Sequence, residues 1–237
     1  MNQVVAVRGA VVGLLGFAAA EEEMLLTVDG SAGTPDAWGA VPVVAHTTEF
    51  KSQQCQRIRS VLGGGIPPDF AEIDHASPDV YAGYAARSRD SVVRDSRLAN
   101  SELTDGLRSL GAEDLVDPSR HAWLRGRTLW LQIVVRGFWH PTGHIADYYL
   151  RHGQPGRAVA LQSHALATAR YLGAPDQATG MAAYGLACAQ AVRGECAAAA
   201  GTLASAIRLN PDLRGNADRD QDLRPLRDSG ELARILA

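Results

Sequence analysis

Apolar residues recur at spacings of three and four along four long stretches of this 237-residue chain, and that period restricts it to helices that bury one face against one another. The first stretch, residues 5–28, places Leu14, Leu15, Ala18, Leu25 and Leu26 on its inner side, with Glu21 to Glu23 interrupting the run and Gly13 and Gly16 lowering its intrinsic helicity. The second, residues 39–62, aligns Val43, Phe50, Ile58 and Val61 or Leu62, and carries Pro42 in its first turn, where proline is tolerated. The third, residues 87–110, aligns Val92, Ser96, Ala99, Leu103, Gly106 or Leu107, and Leu110. The fourth begins near Thr128 with Leu129, Ile133 and Phe138, and Pro141 removes a backbone donor inside it, which predicts a kink. Residues 29–36 and 63–68 have the composition of loops. The three glycines at 63–65 do not make a phosphate loop, because no Lys-Ser/Thr follows them and no strand precedes them. Phe70, Ile73, Tyr81 and Tyr84 on the long connection are expected to cover the end of the helices. The expected fold is all-α, an antiparallel four-helix bundle over residues 1–152 followed by a helical tail over residues 153–237.

Chemistry concentrates on the fourth stretch. His140 and His144 stand four residues apart and so share one helix face. His46 lies between Val43 and Phe50 on the second stretch, at spacings of three and four, which turns it toward the core. Three neutral imidazoles around a divalent ion would leave a coordination position open, the arrangement of a catalytic rather than a structural site. The competing reading is a set of core histidines hydrogen-bonded to neighbours. Glu49 and Asp147, each three residues after a histidine, are placed to orient an imidazole or accept a proton, or else are solvated helix-surface acids. Cys55 is nine residues after His46, a poor spacing for a Cys-His nucleophile pair.

Trp38, eight residues before His46, and the run WHPTGHIADYYLRHG from Trp139 resemble the two signature places of the DinB-like four-helix bundles. The runs IPPDFAEIDHASPDVYAGYAARS and LGAEDLVDP are similar to the DfsB/ClbS-type branch. That resemblance implies a three-histidine site on His46, His140 and His144 holding a divalent metal, zinc or nickel, which would bring the pKa of a water or thiol toward neutrality. It also implies a transferase, isomerase or hydrolase acting on a small molecule, or a self-protection factor, with a low-molecular-weight thiol as cosubstrate. Of the basic residues only Lys51 is lysine, and alanine is abundant, as in a GC-rich coding genome. In such a source the thiol would be mycothiol.

From Gly153 the texture changes to alanine-rich helices. Leu186, Ala187, Gly194, Ala199, Leu203, Ala206 and Pro211 fall at small and apolar positions that resemble a tetratricopeptide repeat, in which two helices approach closely where Ala or Gly lies between them. A generic alanine-rich hairpin is the alternative. If the tail docks a protein, the chain is a non-catalytic binding module. The partners expected are therefore a small-molecule substrate, a protein on the tail, and a second copy of the chain in a homodimer. A net charge of -3 offers no basic excess for nucleic acid.

Three cysteines, Cys55, Cys188 and Cys196, give neither a disulfide framework nor a thiolate metal spacing, which fits a reducing cytoplasm. Arg8 and the following GAVVGLLGFAAA resemble a short signal peptide, but Met24, Leu25 and Leu26 carry the apolar pattern past the acidic run, as a buried helix would. The apolar run is expected to be too short to cross a membrane.

Overall fold

The computed structural model describes residues 3–71, 73 and 77–236. The described residues are all-α apart from a hairpin of two two-residue strands. They form two compact units, Met1–Ile145 and Ala146–Ala237. Part of the run carrying the DfsB/ClbS-type resemblance, residues 72 and 74–76, lies outside the described residues.

In the first unit α1 (Gln3–Val28) leads into β1 (Gly33–Thr34), β2 (Ala37–Trp38) and α2 (Ala40–Leu62). The helices α3 (Pro78–Ala85), α4 (Arg89–Ser109), α5 (Ala112–Val116), α6 (Leu129–Val134) and the start of α7 (His140–Arg151) follow. α1, α2, α4, α6 and the turn after α6 pack on one another around one core. The stripes expected from the sequence are its substance: Leu14, Leu15, Ala18, Leu25 and Leu26 from α1, Val43, Phe50 and Ile58 from α2, and Val92, Ala99, Leu103 and Leu107 from α4 are all buried. α2 and α4 approach closely at Gly106, where a Cβ would stand 2.8 Å from a methyl of Ile58.

Three local features differ from the expectation. The loop at residues 29–36 contains the hairpin, with Gly33 paired to Trp38. Gly33 has φ +68°, and a Cβ there would fall 2.3 Å from the Ala37 carbonyl oxygen, so the turn needs glycine. The acidic run does not interrupt α1. Glu22 is fully buried because Lys51 of α2, equally buried, pairs with it. Thr47 donates to the same carboxylate at 2.7 Å, Ser96 at 3.0 Å and Asn100 at 3.3 Å. α1 is consequently longer than its first apolar run: Val4–Val28, whose most apolar 18-residue window has a mean hydropathy of 1.7, is long and apolar enough to cross a membrane by length and composition, where the apolar run alone was expected to be too short.

The third difference is at Pro141. The helix is not simply kinked there. It widens into a π turn at Val135–Trp139 just before α7. Proline at 141 has no N–H for the carbonyl four residues back, and its ring would collide with that carbonyl in a regular helix. A wider turn relieves both problems. The Thr142 hydroxyl donates to the carbonyls of Phe138 at 2.9 Å and Trp139 at 3.2 Å, supplying hydrogen bonds at the irregularity.

In the second unit α8 (Pro155–Tyr171), α9 (Asp176–Val192) and α10 (Cys196–Leu209) each pack against the next. Small residues mark the contacts. Ala158, Ala165, Ala183, Ala187, Ala199 and Ala206 are essentially inaccessible, and a Cβ on Gly180 would lie 3.0 Å from the Ala206 carbonyl oxygen. The short helices α11 (Arg214–Ala217), α12 (Arg224–Asp228) and α13 (Glu231–Leu236) close the unit. Asp220, between the first two, accepts a 2.7 Å hydrogen bond from the Tyr184 hydroxyl of α9.

Candidate metal centre

His46 is carried to the site by α2, and the π turn delivers His140 and His144 on the first turns of α7. The three offer ligand atoms that all lie within 4.8 Å of one another. His140 is central: its Nε2 lies 3.3 Å from His46 Nε2 and 3.2 Å from His144 Nε2. Nitrogens bound at about 2.0 to 2.1 Å around a tetrahedral zinc ion are about 3.3 Å apart, so these two spacings fit. A neutral imidazole nitrogen has either one proton or one lone pair in the ring plane. His140 Nε2 therefore cannot form a full hydrogen bond with both neighbours through that single position, whereas a cation at the convergence would engage all three lone pairs.

The far side of His46 is organised as well. Tyr84 from α3 is buried, and its hydroxyl donates a 2.5 Å hydrogen bond to Glu49 Oε2. With its one proton so used, the Tyr84 oxygen accepts from His46 Nδ1 at 3.4 Å. Protonation at Nδ1 leaves Nε2 with a lone pair directed at His140, the tautomer a metal ligand needs. Burial raises the Tyr84 phenol well above its ordinary value, and the bond and charge of Glu49 add to that, so the hydroxyl keeps its proton. Trp38 of β2 stands edge-on to His46 with ring centres 5.9 Å apart and lies 6.0 Å from the Tyr84 ring, which is how the unexpected hairpin contributes to the site. On the other flank Phe50 stacks on His140 at 4.2 Å.

The sequence-derived site residues are thus partly assembled. His46, His140 and His144 converge. Glu49 reaches His46 through Tyr84 rather than directly. Asp147 is engaged by Arg151 on its own helix at 3.2 Å, with about half its side chain exposed. A cleft of about 470 Å³ borders the Glu49 and Tyr84 side, and its lining mixes Arg87, Asp95 and Glu102 with Ala45, Leu98 and Ala99. Tyr84 is the residue that sequence reasoning missed. It was expected only to cover the helix ends; its hydroxyl is 38 positions from His46 and no period links the two. Comparison with models of known protein families, with curated proteins and with solved structures finds no match to this chain.

Proposed function

We propose that the first unit is a DinB-like four-helix bundle, formed by α1, α2, α4 and the α6–α7 segment, that binds a divalent metal ion through His46, His140 and His144 and acts on a small molecule. The observation that carries this reading is the pair of Nε2 spacings of 3.3 and 3.2 Å about His140. Zinc or nickel suits imidazole donors, and an ion held by three of them would act as a Lewis acid with a position open to substrate. The chain's own groups supply the rest. Tyr84 holds His46 in the ligating tautomer, Glu49 holds the Tyr84 proton, and Phe50 and Trp38 restrict how the imidazoles can turn. The resemblance of the histidine-bearing runs to DinB-like proteins extends the proposal to a low-molecular-weight thiol such as mycothiol as cosubstrate, in a transferase, isomerase or hydrolase reaction. For the second unit the proposal is a tetratricopeptide-like array, supported by the close α9–α10 approach at Gly180.

The test is metal analysis of protein purified without a histidine tag. The expected result is close to one zinc or nickel ion per chain, largely lost in His140→Ala. Absence of metal from the wild type after incubation with zinc and nickel, or equal occupancy in His140→Ala, refutes the proposal.

A further inference from the structure

α2 carries a stripe that leads away from the imidazoles. Phe50, Gln54 and Arg57 follow His46 by four, eight and eleven positions, so they lie along one flank of the helix. Gln54 is fully buried, and among the described residues neither its amide oxygen nor its amide nitrogen has a hydrogen-bond partner. Arg57 is 8 % exposed; its Nη1 is buried with no hydrogen-bond partner among the described residues, and its guanidinium carbon sits 4.7 Å over the Phe70 ring. From the π turn, Arg136 places its guanidinium carbon 4.7 Å over the ring of Phe50, and its Nε is buried and also without a partner among the described residues. Phe50 therefore touches both His140 and a guanidinium.

Arg57 is buried and Arg136 half-buried. Among the described residues no carboxylate forms an ion pair with Arg57 or Arg136. Among the described residues it is the exposed Asp69 whose negative charge acts on Arg57. Arg136 is pushed down from its ordinary value, chiefly by burial and then by the positive charges of Arg57 and Arg127. Charges taken out of water without a counter-charge are costly, and so is a buried amide with nothing to bond. Guanidinium groups in such a setting match the planar, two-oxygen face of a carboxylate or phosphate, and an amide N–H beside them gives a further donor.

We propose that Gln54, Arg57 and Arg136 form an oxyanion site, binding the carboxylate or phosphate group of the small molecule handled at the imidazoles. The link to the imidazoles rests on the metal reading, while the oxyanion site itself does not. It narrows the substrate class to anionic molecules, held at one end by the arginines with Phe50 as the wall toward His140.

The test is calorimetric titration of the full-length, untagged protein, zinc-free and zinc-loaded, with succinate and separately with inorganic phosphate. Wild type should bind at least one of the two; preference for succinate marks the site as carboxylate-directed, and preference for phosphate as phosphate-directed. Arg57→Gln and Arg136→Gln should each weaken binding by about tenfold or more, the loss expected for a charged hydrogen bond. Arg57→Lys keeps the charge and the stem but loses the fork, and should also weaken binding, which guards against a Gln variant that fails to fold. Without anion, the folded Gln variants should melt no lower than wild type, since each removes one of two repelling cations. Failure of wild type to bind either anion, or unchanged binding in Arg57→Lys and Arg136→Gln, overturns the proposal. Zinc uptake without anion binding refutes the oxyanion site and leaves the metal reading standing. Arginine-dependent anion binding without zinc uptake does the reverse.

Discussion

Tyr84→Phe removes one oxygen atom and leaves the ring, whose contacts with His46 at 5.5 Å and Trp38 at 6.0 Å would persist. Two hydrogen bonds go with that oxygen: the one His46 Nδ1 donates at 3.4 Å, and the one Tyr84 donates to Glu49 at 2.5 Å. Loss of an outer hydrogen-bond partner of a metal-ligating histidine typically costs about 10- to 100-fold in metal affinity. The 3.4 Å contact is long for a hydrogen bond, so the low end applies. About tenfold, or ~1.4 kcal/mol, is the expected loss. Competition for zinc against a chromophoric chelator at constant pH measures it directly. Glu49→Gln keeps an acceptor oxygen for the Tyr84 hydroxyl and should lose less than Tyr84→Phe, whereas His46→Ala should lose far more. Zinc affinity in Tyr84→Phe within twofold of wild type, or an equal loss in Tyr84→Phe and His46→Ala, would refute the role given to the hydroxyl.

Two further outcomes concern stability. Lys51→Met strands the fully buried Glu22 carboxylate and should cost about 3 to 5 kcal/mol in urea unfolding, whereas Lys51→Met with Glu22→Leu should recover most of it; a double variant no better than the single one would show that the pair is not the reason. Burial pushes the Cys55 thiol up from 9.0 to about 12, with the charge of Glu102 adding to it. A proton held more tightly by the folded chain contributes stability that is complete below the unfolded pKa and is lost as pH rises through the folded one, so stability should fall between about pH 9 and 12. The fall should be shallower in Cys55→Ala, and an identical slope in that variant would remove Cys55 as its cause.

The helical core was legible because burial follows period. Val92, Ser96, Ala99, Leu103 and Leu107 of α4 are buried as their spacing requires. The convergence of His140 with His144 was legible for the same reason, and His46 was readable as inward-facing because it falls between Val43 and Phe50. What the sequence hid are pairings between elements. Glu22 looked like part of a polar interruption because the lysine that neutralises it lies 29 positions away on another helix. Tyr84 looked like a cover residue because its bonds to His46 and Glu49 depend on where α3 is set down against α2. The π turn was half visible: Pro141 announces a disturbance but not whether the chain bends or widens, and the turn sets Gly137 and Phe138 into the core, where both are buried. A Cβ on Gly137 would come within 2.3 Å of Leu15 and 2.7 Å of Leu103, contacts that no local pattern encodes.

The burial of Lys51 has a consequence beyond its ion pair. It is the only lysine in the sequence, and in the folded chain its side chain is shut away from solvent. Reagents that acylate primary side-chain amines thus have a single target here, and they reach it only when α1 and α2 part. The rate at which Lys51 is acylated then becomes a built-in clock for opening of the core, read by mass at one residue without any introduced probe. Slowing of that clock when zinc or an anion is added would register binding as a change in how often the helices separate.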